Sequence, residues 1–493
     1  MLLTISLFAL TLRQPVQAPI GPATLDELNW VISYCEANLP CFQDDVTPKT
    51  RPSYERMKDR VRKLAPQVQS RGDAYKLIAS YVEFFHDNHS TLRVYGSRVD
   101  ESKPADVLAF QQAEAFRTCE QIELRPEALK QYPVADVRGL YENADGTYKI
   151  AVIPKAGLMR KYVGVIVESK TPLWKPGQVK FELNPTGKST FDAFLYDRGH
   201  GRELVHRADL SNGILADRWF KTSIKTRKNE RTNAPAGLEF RELDASTCYV
   251  RIPTFSGSQT DVLNKFYREH ERAIRSHPFL IIDVRNNGGG SDGNAAPLLG
   301  YIYTRPVKMD YVELYVTKAN IQAFEERVAL YKKDPVNYSK GYIKAVESEL
   351  SAMKAAPLQS FILRGGGDVL PYGRVLETPK RVAILTNRYC ASACEALLFW
   401  AKQSDKAIIM GENSGGYVGY GEVDDVQTPA FKFSLSSTKT RYRVQRQFEA
   451  TGIEPDVALD PNLDWIKQAS DVLKSDSRCE AALKQRRKRW KGL

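Results

Sequence analysis

The stretch that decides the fold is FLIIDVRNNGGG, residues 279–290. It begins with an apolar run interrupted only by Asp283, which is typical of a strand buried on both faces in a parallel sheet. The glycines 288–290 allow a sharp turn and expose N–H groups at the start of the next helix. Ligands of open α/β sheets bind at the carboxyl ends of strands, so this turn is a candidate site. A plain strand-to-helix turn has the same composition, and both interpretations stay open.

Strand-like and helix-like segments alternate on both sides of this stretch. TCYVRIPTF (247–255) precedes the amphipathic segment 260–276, and two more apolar strands, VAILTN (382–387) and AIIMGE (407–412), enclose a helix. This alternation predicts an α/β core with a parallel sheet over residues 237–465. Residues 316–356 are strongly helical and predict an inserted hairpin that could cover a cleft.

Three other regions differ from the core in character. Residues 22–95 have apolar residues three and four apart, which predicts an N-terminal helical domain. Short β-branched and aromatic runs over 136–210 predict a small antiparallel β domain. Residues 215–236, rich in Lys, Arg, Thr and Asn, are typical of a linker or an exposed loop.

The N-terminus predicts export. The 493-residue chain opens with the apolar run MLLTISLFALTL, and Val16-Gln17-Ala18 places small residues where a signal peptidase cleaves. We therefore expect a signal peptide over 1–18 and a periplasmic or extracellular protein, with surface association left open. A buried N-terminal strand and a misassigned start are the alternatives. No later stretch approaches 18 apolar residues, so no transmembrane segment is expected.

The composition is that of a globular protein, with 26% charged residues and a net charge of +12. Six basic residues and no acid lie in the tail 483–493, LKQRRKRWKGL, which predicts a solvated end or a contact with anionic lipid or nucleic acid. The sequence has no zinc-finger spacing and no RNA-binding signature. We therefore expect no nucleic-acid partner.

Seven cysteines cannot all pair within one chain. Cys35 and Cys41, around a Pro40 turn, form the best candidate disulfide in an exported protein. Cys390 and Cys394 have no second Cys or His pair at metal-ligand spacing, so we expect buried thiols there and no zinc.

Ser392 is the candidate nucleophile. It begins a predicted helix directly after a strand and lies among small residues, and a helix start favours the negative charge that forms during attack on a carbonyl. Ser392 with Glu395 is also the pattern of a capping box. The residues alone leave an N-cap and a nucleophile open.

A serine nucleophile needs a base, and the sequence has six histidines. His86 and His89 share one short turn, FFHDNHSTL (84–92), whereas the other four are scattered. Glu449, in FEATGIEPDV (448–457), is a carboxylate that could orient an imidazole. Taken alone, Glu449 has the features of a surface acid.

These motifs, in this order, resemble the serine peptidase family that includes the C-terminal processing (tail-specific) proteases and the tricorn core. The resemblance covers roughly residues 75–92 and 237–465 and leaves 136–210 outside. It implies an α/β protein with a ClpP/crotonase-like catalytic core, an N-terminal helical region and a small antiparallel β domain. No PDZ-type carboxylate loop is found in 136–210, so recognition of a peptide tail is not implied.

The resemblance also implies roles for residues of this chain. Ser392 corresponds to the nucleophile, and the backbone N–H groups of Ala393 and Gly289 correspond to the oxyanion hole. The processing proteases take their base from a Phe-Gly-Lys-Gly turn, but the matching turn here is Ser-Gly-Gly-Tyr (414–417), without lysine.

The sequence is therefore more similar to the tricorn-like branch, which takes a histidine from the early motif and a glutamate from the late one. This similarity implies that His89 is the general base and Glu449 its orienting acid, with His86 as the alternative base. Relatives with an acid directly after the nucleophile favour basic substrate residues. Ala393 stands there instead, so we expect a preference for small or apolar residues.

The implied activity is that of a serine endopeptidase (a hydrolase) that cleaves a peptide or protein substrate through an acyl-enzyme, with no metal or cofactor. A non-catalytic ligand- or peptide-binding protein on the same scaffold is one alternative. The other is an acyl hydrolase that acts on esters, because it would use the same acyl chemistry.

Overall fold

The computed structural model of the protein describes residues 19–157, 159–224, 232–334, 340–367, 369–370 and 374–490. The predicted signal peptide 1–18 lies outside these residues. The α-helices are, in chain order, α1 Ile20–Asn38, α2 Pro40–Asp45, α3 Arg51–Leu64, α4 Arg71–Val82, α5 Pro104–Gln112, α6 Glu114–Arg117, α7 Thr260–Ser276, α8 Asp292–Ile302, α9 Lys318–Lys333, α10 Lys340–Ala355, α11 Ala393–Lys402, α12 Trp465–Leu473 and α13 Asp476–Arg489.

The strands form one closed barrel and four open sheets. They are β1 Leu92–Arg93, β2 Gly139–Asn143, β3 Tyr148–Gly157, β4 Arg160–Ser169, β5 Val179–Pro185, β6 Thr190–Tyr196, β7 Arg202–Ser211, β8 Ile214–Leu215, β9 Trp219–Lys221, β10 Glu239–Asp244, β11 Thr247–Arg251, β12 Phe279–Asp283, β13 Val307–Lys308, β14 Val312–Tyr315, β15 Phe361–Gly365, β16 Val369–Leu370, β17 Arg381–Thr386, β18 Ala407–Gly411, β19 Tyr420–Gly421, β20 Asp424–Gln427, β21 Ser434–Ser437, β22 Thr440–Tyr442 and β23 Val457–Ala458.

The core sheet contains the strands expected from the sequence. Its order is β10-β11-β12-β17-β18-β23, and every pair except β10–β11 is parallel. Alternate residues of β12 enter different cores: Ile282 packs with α7, α8 and α11, whereas Ile281 packs with α12 and α13. Burial on both faces explains the continuous apolar run in this strand. The α/β class predicted for the core is confirmed.

The N-terminal helices pack around a tyrosine-rich core. Tyr54, Tyr75 and Tyr81 are fully buried there, and the hydroxyls of Tyr54 and Tyr81 lie 2.9 Å apart. Ser70 caps α4 by accepting the backbone N–H of Asp73 at 3.1 Å. The last part of this region leaves the helices as β1, which pairs antiparallel with β21.

The β domain is an eight-stranded antiparallel barrel that runs from β2 to β9 and closes by pairing β2 with β9. Its last strand, Trp219–Lys221, lies in the segment expected to be a linker. That expectation was wrong at its start, because Trp219 and Phe220 are buried and complete the barrel wall.

The basic C-terminal run is helical over its described part, and its basic side chains are exposed as expected except for Arg486. It belongs to α13, where Arg486 is 4% exposed and donates to Asp456 Oδ1 at 2.9 Å. Lys402 pairs with the same carboxylate at 2.8 Å. Arg486 therefore attaches α13 to the α11 and β18 side of the core sheet.

All seven cysteines are free thiols, so the structure does not contain the expected Cys35–Cys41 disulfide. Cys35 in α1 and Cys41 in α2 are buried, and burial raises the pKa of both thiols well above the usual range. Cys390 and Cys394 are buried thiols, as expected.

The helical insertion consists of α9 and α10, which pack together through Phe324, Val328, Val346 and Met353 against β14. Whether this hairpin covers a cleft stays a prediction. Within the part of the chain described above, no helix is both long and apolar enough to cross a membrane.

Candidate active site

Two loops at the carboxyl ends of neighbouring parallel strands carry the glycine turn and Ser392. Asparagines join them: Asn286 N–H donates to Asn387 Oδ1 at 3.0 Å, and Asn387 Nδ2 donates to Asn286 Oδ1 at 2.8 Å. Asn287 O accepts the N–H of Ala391 at 3.0 Å. The β12–β17 pairing thus continues into the loops and fixes the glycine turn against the Ser392 turn.

Ser392 has a strained backbone. Its φ is 56° and its ψ is −122°, in the left-handed region that residues other than glycine rarely adopt. An ordinary N-cap has extended dihedrals, so the strain is not explained by capping alone. Such outliers concentrate at functional sites, where the surrounding structure holds them.

Gly289 lies directly against this turn. Its φ is 91°, and a Cβ added there would lie 2.8 Å from Ser392 Cβ and 2.9 Å from Ala393 N, which leaves no room for a side chain. The N–H of Ala393 has no acceptor among the described residues, as expected at a helix start. The N–H of Gly289, in contrast, donates to Asn287 Oδ1 at 2.9 Å in this state.

Glu395 connects the Ser392 turn to the loop 414–417. Its buried carboxylate accepts the N–H groups of Ser392 at 3.2 Å, Gly416 at 2.8 Å and Tyr417 at 2.7 Å, and the hydroxyl of Ser414 at 2.5 Å. Burial raises the pKa of Glu395 to about 7, although these four hydrogen bonds oppose the shift. The capping role expected for Glu395 is therefore one part of a larger network.

The segment that carries the early histidine motif is joined to the 237–465 region by the pairing of β1 with β21. Leu92 pairs with Leu435 of β21, and Ser436 N–H donates to Thr91 O at 2.8 Å. Upstream of this pairing, Asp87 is buried and accepts hydrogen bonds from the Ser90 and Thr438 hydroxyls, both at 2.6 Å.

His89 and Glu449 come together in this region. One ligand atom from each of Asp87, His89 and Glu449 lies within 4.8 Å of the others. Glu449 is buried, and Asn88, 361 residues away in sequence, donates its N–H to Glu449 Oε1 at 2.8 Å. Glu449 Oε2 accepts the N–H of Val418 at 2.8 Å, so it is not a surface acid.

Two buried acids lie next to one imidazole, and the pKa values of Glu449 and His89 are shifted there. Burial and then the Asp87 charge raise the pKa of Glu449 well above its usual range, although backbone N–H groups oppose this. Burial lowers the pKa of His89, whereas the Asp87 charge raises it. His89 is therefore held neutral near pH 7, which is the form that can accept a proton.

The aromatic ring of Tyr417 lies between the two halves of the site. Its centroid is 5.4 Å from that of His89, edge to face, and its N–H shares Glu395 Oε2 with that of Ser392. Among the described residues, no hydrogen bond joins the Ser392 and His89 side chains, and His89 Nδ1 is buried without a partner. Active sites without substrate often have such loose geometry.

His86 is placed differently. Its side chain is 73% exposed, and its Nδ1 lies 3.2 Å from Asp45 Oδ1. It is not part of the Asp87, His89 and Glu449 group.

Within the described part of the chain, two groups of side chains have ligand atoms close enough to one another to hold a metal ion. One is the Asp87, His89 and Glu449 group, and the other is Glu83, Asp192 and His206 at the contact between the N-terminal helices and the barrel. Glu449 already accepts three backbone N–H groups, which competes with metal coordination.

Residues 246–459, which include both loops and Glu449, match the family model described as peptidase family S41. This part of the chain belongs to peptidase family S41. The family recognised from the sequence motifs is confirmed, and its members are serine-type peptidases. His89 and Asp87 lie outside the S41 segment, in the N-terminal region.

No curated protein matches the chain in sequence. Solved structures similar to this chain include mature CPAF complexed with lactacystin, which is 13% identical to it. The match covers 94% of this chain and 99% of that chain, with a TM-score of 0.49. The photosystem II D1 C-terminal processing protease is 14% identical and covers 92% and 98%, with a TM-score of 0.35. The tricorn protease is 13% identical and covers 96% and 38%, with a TM-score of 0.38.

The sequence motifs gave no role to Asp87 and did not single out five further residues of the candidate site: Asn88, Asn286, Asn287, Asn387 and Tyr417. Asp87 and Asn88 stand next to His89 in the quoted motif, so their proximity was a usable signal. No such signal existed for Asn286, Asn287 and Asn387, because their partners are about 100 residues away in sequence.

Proposed function

We propose that the chain is a serine endopeptidase in which Ser392 is the nucleophile, His89 the general base and Glu449 the acid that orients His89. The observation that supports this proposal is the group of His89, Asp87 and Glu449, which two distant segments bring together. Tyr417 links this group to the strained Ser392 turn, because its ring contacts His89 and its N–H shares Glu395 with that of Ser392. Membership of family S41 supports a serine peptidase but does not assign these roles.

In the proposed reaction, neutral His89 accepts the Ser392 hydroxyl proton as Oγ attacks a peptide carbonyl. The resulting imidazolium is stabilised by the negative charge of the Asp87 and Glu449 pair. His89 then protonates the leaving amine, and the acyl-enzyme forms. Water, deprotonated by His89, attacks the acyl group, and the proton returns to Ser392 Oγ as the acid product leaves.

The oxyanion hole of this proposal uses the N–H groups of Ala393 and Gly289. Ala393 N–H has a free donor direction at the start of α11, where the helix dipole favours negative charge. Gly289 N–H would have to leave Asn287 Oδ1, or share its hydrogen with the oxyanion, as the charge develops. The hole is therefore completed by substrate in this mechanism.

A fluorophosphonate probe tests the assignment of the nucleophile. We expect mass spectrometry to find the probe on Ser392 of the wild-type protein, no labelling of Ser392→Ala, and strongly reduced labelling of His89→Ala. Folded wild-type protein that does not label would contradict the proposal and favour a non-catalytic binding protein. Labelling with cleavage of esters but not of peptides would favour the acyl hydrolase.

We also propose that the protein is exported to the periplasm or the exterior, on the basis of the apolar segment 1–12 and the cleavage pattern at Val16-Gln17-Ala18. N-terminal sequencing of the protein from the native cell tests this. Cleavage after Ala18 would support export, and an intact Met1 on the mature protein would contradict it.

A further inference from the structure

A cavity of about 210 Å³ lies between the segment that follows His89 and strand β7 of the barrel. Val94 and Arg202 pair across this junction, with N–H to O distances of 3.1 and 2.7 Å. Side chains of Arg93, Arg202 and Arg218 line it. At about 30 Å³ per water, the volume holds a carboxylate-bearing side chain together with a few water molecules.

The guanidinium groups around this cavity have few acidic partners. Arg93 Nε is buried without a hydrogen-bond partner, and the only carboxylate near Arg93 among the described residues is that of Glu203, at 4.0 Å. Among the described residues, Arg202 and Arg218 form no ion pair. A buried donor without an acceptor costs free energy, so its presence indicates an acceptor supplied from outside.

The acids that line the cavity do not neutralise it. Asp197 turns its carboxylate toward the adjacent chain reversal and accepts Gly201 N–H at 2.7 Å. Glu203 is half exposed and only loosely paired with Arg93. Arg202 is held in place, because its guanidinium lies about 3 Å from where a Cβ on Gly72 would be and 5.5 Å from the Tyr196 ring.

The cavity is close to the candidate active site. Arg93 and Glu203 both act electrostatically on Tyr417, whose ring contacts that of His89. Arg93 also contributes to lowering the pKa of His89. A substrate that extends from Ser392 past His89 toward the barrel would reach these arginines.

We propose that Arg93, Arg202 and Arg218 form a binding site for a carboxylate of the substrate peptide, and that an acidic side chain is its ligand. Guanidinium groups bind carboxylates with paired hydrogen bonds, which gives geometric selectivity as well as charge complementarity. The site deepens the proposed function, because it names acidic peptides as the substrate class. It is separate from the residue next to the cleaved bond, for which Ala393 predicts a small or apolar preference.

Binding to the full-length Ser392→Ala protein tests the site without relying on catalysis. Fluorescent peptides with blocked ends would carry Glu or Gln at each position in turn, and a further set would have a free α-carboxylate. We expect at least one Glu peptide to bind about tenfold more tightly than its Gln match, with a preference that falls at high salt. Equal affinity for every Glu and Gln pair overturns the proposal, and a preference for the free α-carboxylate alone assigns the site to a chain terminus instead.

Variants test whether these arginines cause the preference for Glu over Gln peptides. In Arg202→Gln/Arg218→Gln the ratio of Glu to Gln affinity should fall to within about twofold, whereas in the exposed control Arg272→Gln it should stay near tenfold. If the double variant does not fold, Arg218→Glu, at an exposed position, should reverse the preference toward Lys peptides. A ratio unchanged by these variants overturns the proposal.

The two proposals fail separately. Acidic-peptide preference in Ser392→Ala without fluorophosphonate labelling of the wild type would leave the carboxylate site and remove the peptidase. Labelling of Ser392 without any preference for Glu peptides would leave the peptidase and remove the carboxylate site.

Discussion

Ser392 and His89 show how single residues are set for chemistry by what surrounds them. The Ser392 turn adopts a φ of 56° because Glu395 holds its N–H from one side and the tight approach of Gly289 holds it from the other. His89 stays neutral because it is buried, although two acids lie beside it. Both effects depend on groups that the linear motifs do not show.

The lowered pKa of His89 predicts the pH dependence of peptidase activity. The base works only when neutral, so kcat/KM should rise with pH to a plateau, with the midpoint of the rise below the ordinary imidazole value of about 6.5. Steady-state rates between pH 4.5 and 8 measure this. His86→Ala should keep the same profile, and an acid limb centred above pH 7 would contradict the assignment of His89.

Glu395 predicts a pH dependence of stability. Its pKa is about 7 in the folded state, above its unfolded value, so the folded state retains a proton that the unfolded state has lost. The stabilisation is complete below pH 4.5 and is lost as pH rises to about 7, with a slope of at most about 1.4 kcal/mol per pH unit.

The variant Glu395→Gln isolates this contribution, because a neutral amide resembles the protonated acid. Urea unfolding between pH 4 and 8 should show that the wild type loses stability relative to Glu395→Gln between pH 4.5 and 7, with a constant difference above that range. Parallel pH curves for the two proteins would show that Glu395 titrates normally.

At the scale of elements, the barrel is attached to the Ser392 loop. Arg388, four residues before Ser392, pairs with Asp209 at 2.7 Å and with Asp217, both on the barrel. Tyr389 OH also donates to Asp217, at 3.1 Å. The β domain therefore does more than connect the segments of His89 and Ser392, because it holds two residues that lie just before the Ser392 turn.

Asp217→Asn tests this attachment. The buried Asp217 side chain would lose its charge beside Arg388, which should lower the free energy of unfolding by about 1–3 kcal/mol. It should also reduce kcat more than it raises KM, because the Ser392 turn is loosened. Glu168→Gln, an exposed barrel carboxylate, is the control and should change stability by less than about 0.5 kcal/mol. Equal effects of the two variants would contradict the attachment.

The sequence predicted elements whose pattern is local. The parallel strands were visible because both faces of β12 and β17 are buried, and the glycine turn was visible because three glycines stand together. Closure of the barrel was not visible, since β8 and β9 are two and three residues long and are defined by their pairing with distant strands. The asparagine contacts between the two site loops could not be predicted for the same reason, since they join residues that are distant in sequence.

At the scale of the whole molecule, the C-terminal helix completes the core. Arg486 of α13 donates to Asp456 and to the carbonyls of Ala401 and Ser404, at 3.1 and 2.8 Å. Composition alone could not separate this arginine from its exposed neighbours in the same basic run. The distinction depends on which helix face meets β18.

Removing that arginine should destabilise the protein. Arg486→Ala leaves buried Asp456 with Lys402 as its remaining ion-pair partner and the N–H of Ile409 as a hydrogen-bond donor. Loss of one partner from a buried ion pair costs about 3–5 kcal/mol. Chemical denaturation measures the change. Arg487→Ala, whose side chain is 65% exposed, should stay within about 0.5 kcal/mol of the wild type, and similar losses for both would show that α13 is not docked.

The origin of His89 outside residues 246–459 has a consequence for relatives of this protein. Residues 246–459, which carry the family likeness, hold the proposed nucleophile and orienting acid, whereas the proposed base His89 lies three residues before the two-residue strand Leu92–Arg93, which pairs with β21. A homologue could therefore retain the whole recognisable domain and lose turnover through a change near residue 89 alone. The residue at the position of His89 should therefore distinguish inactive homologues from active peptidases.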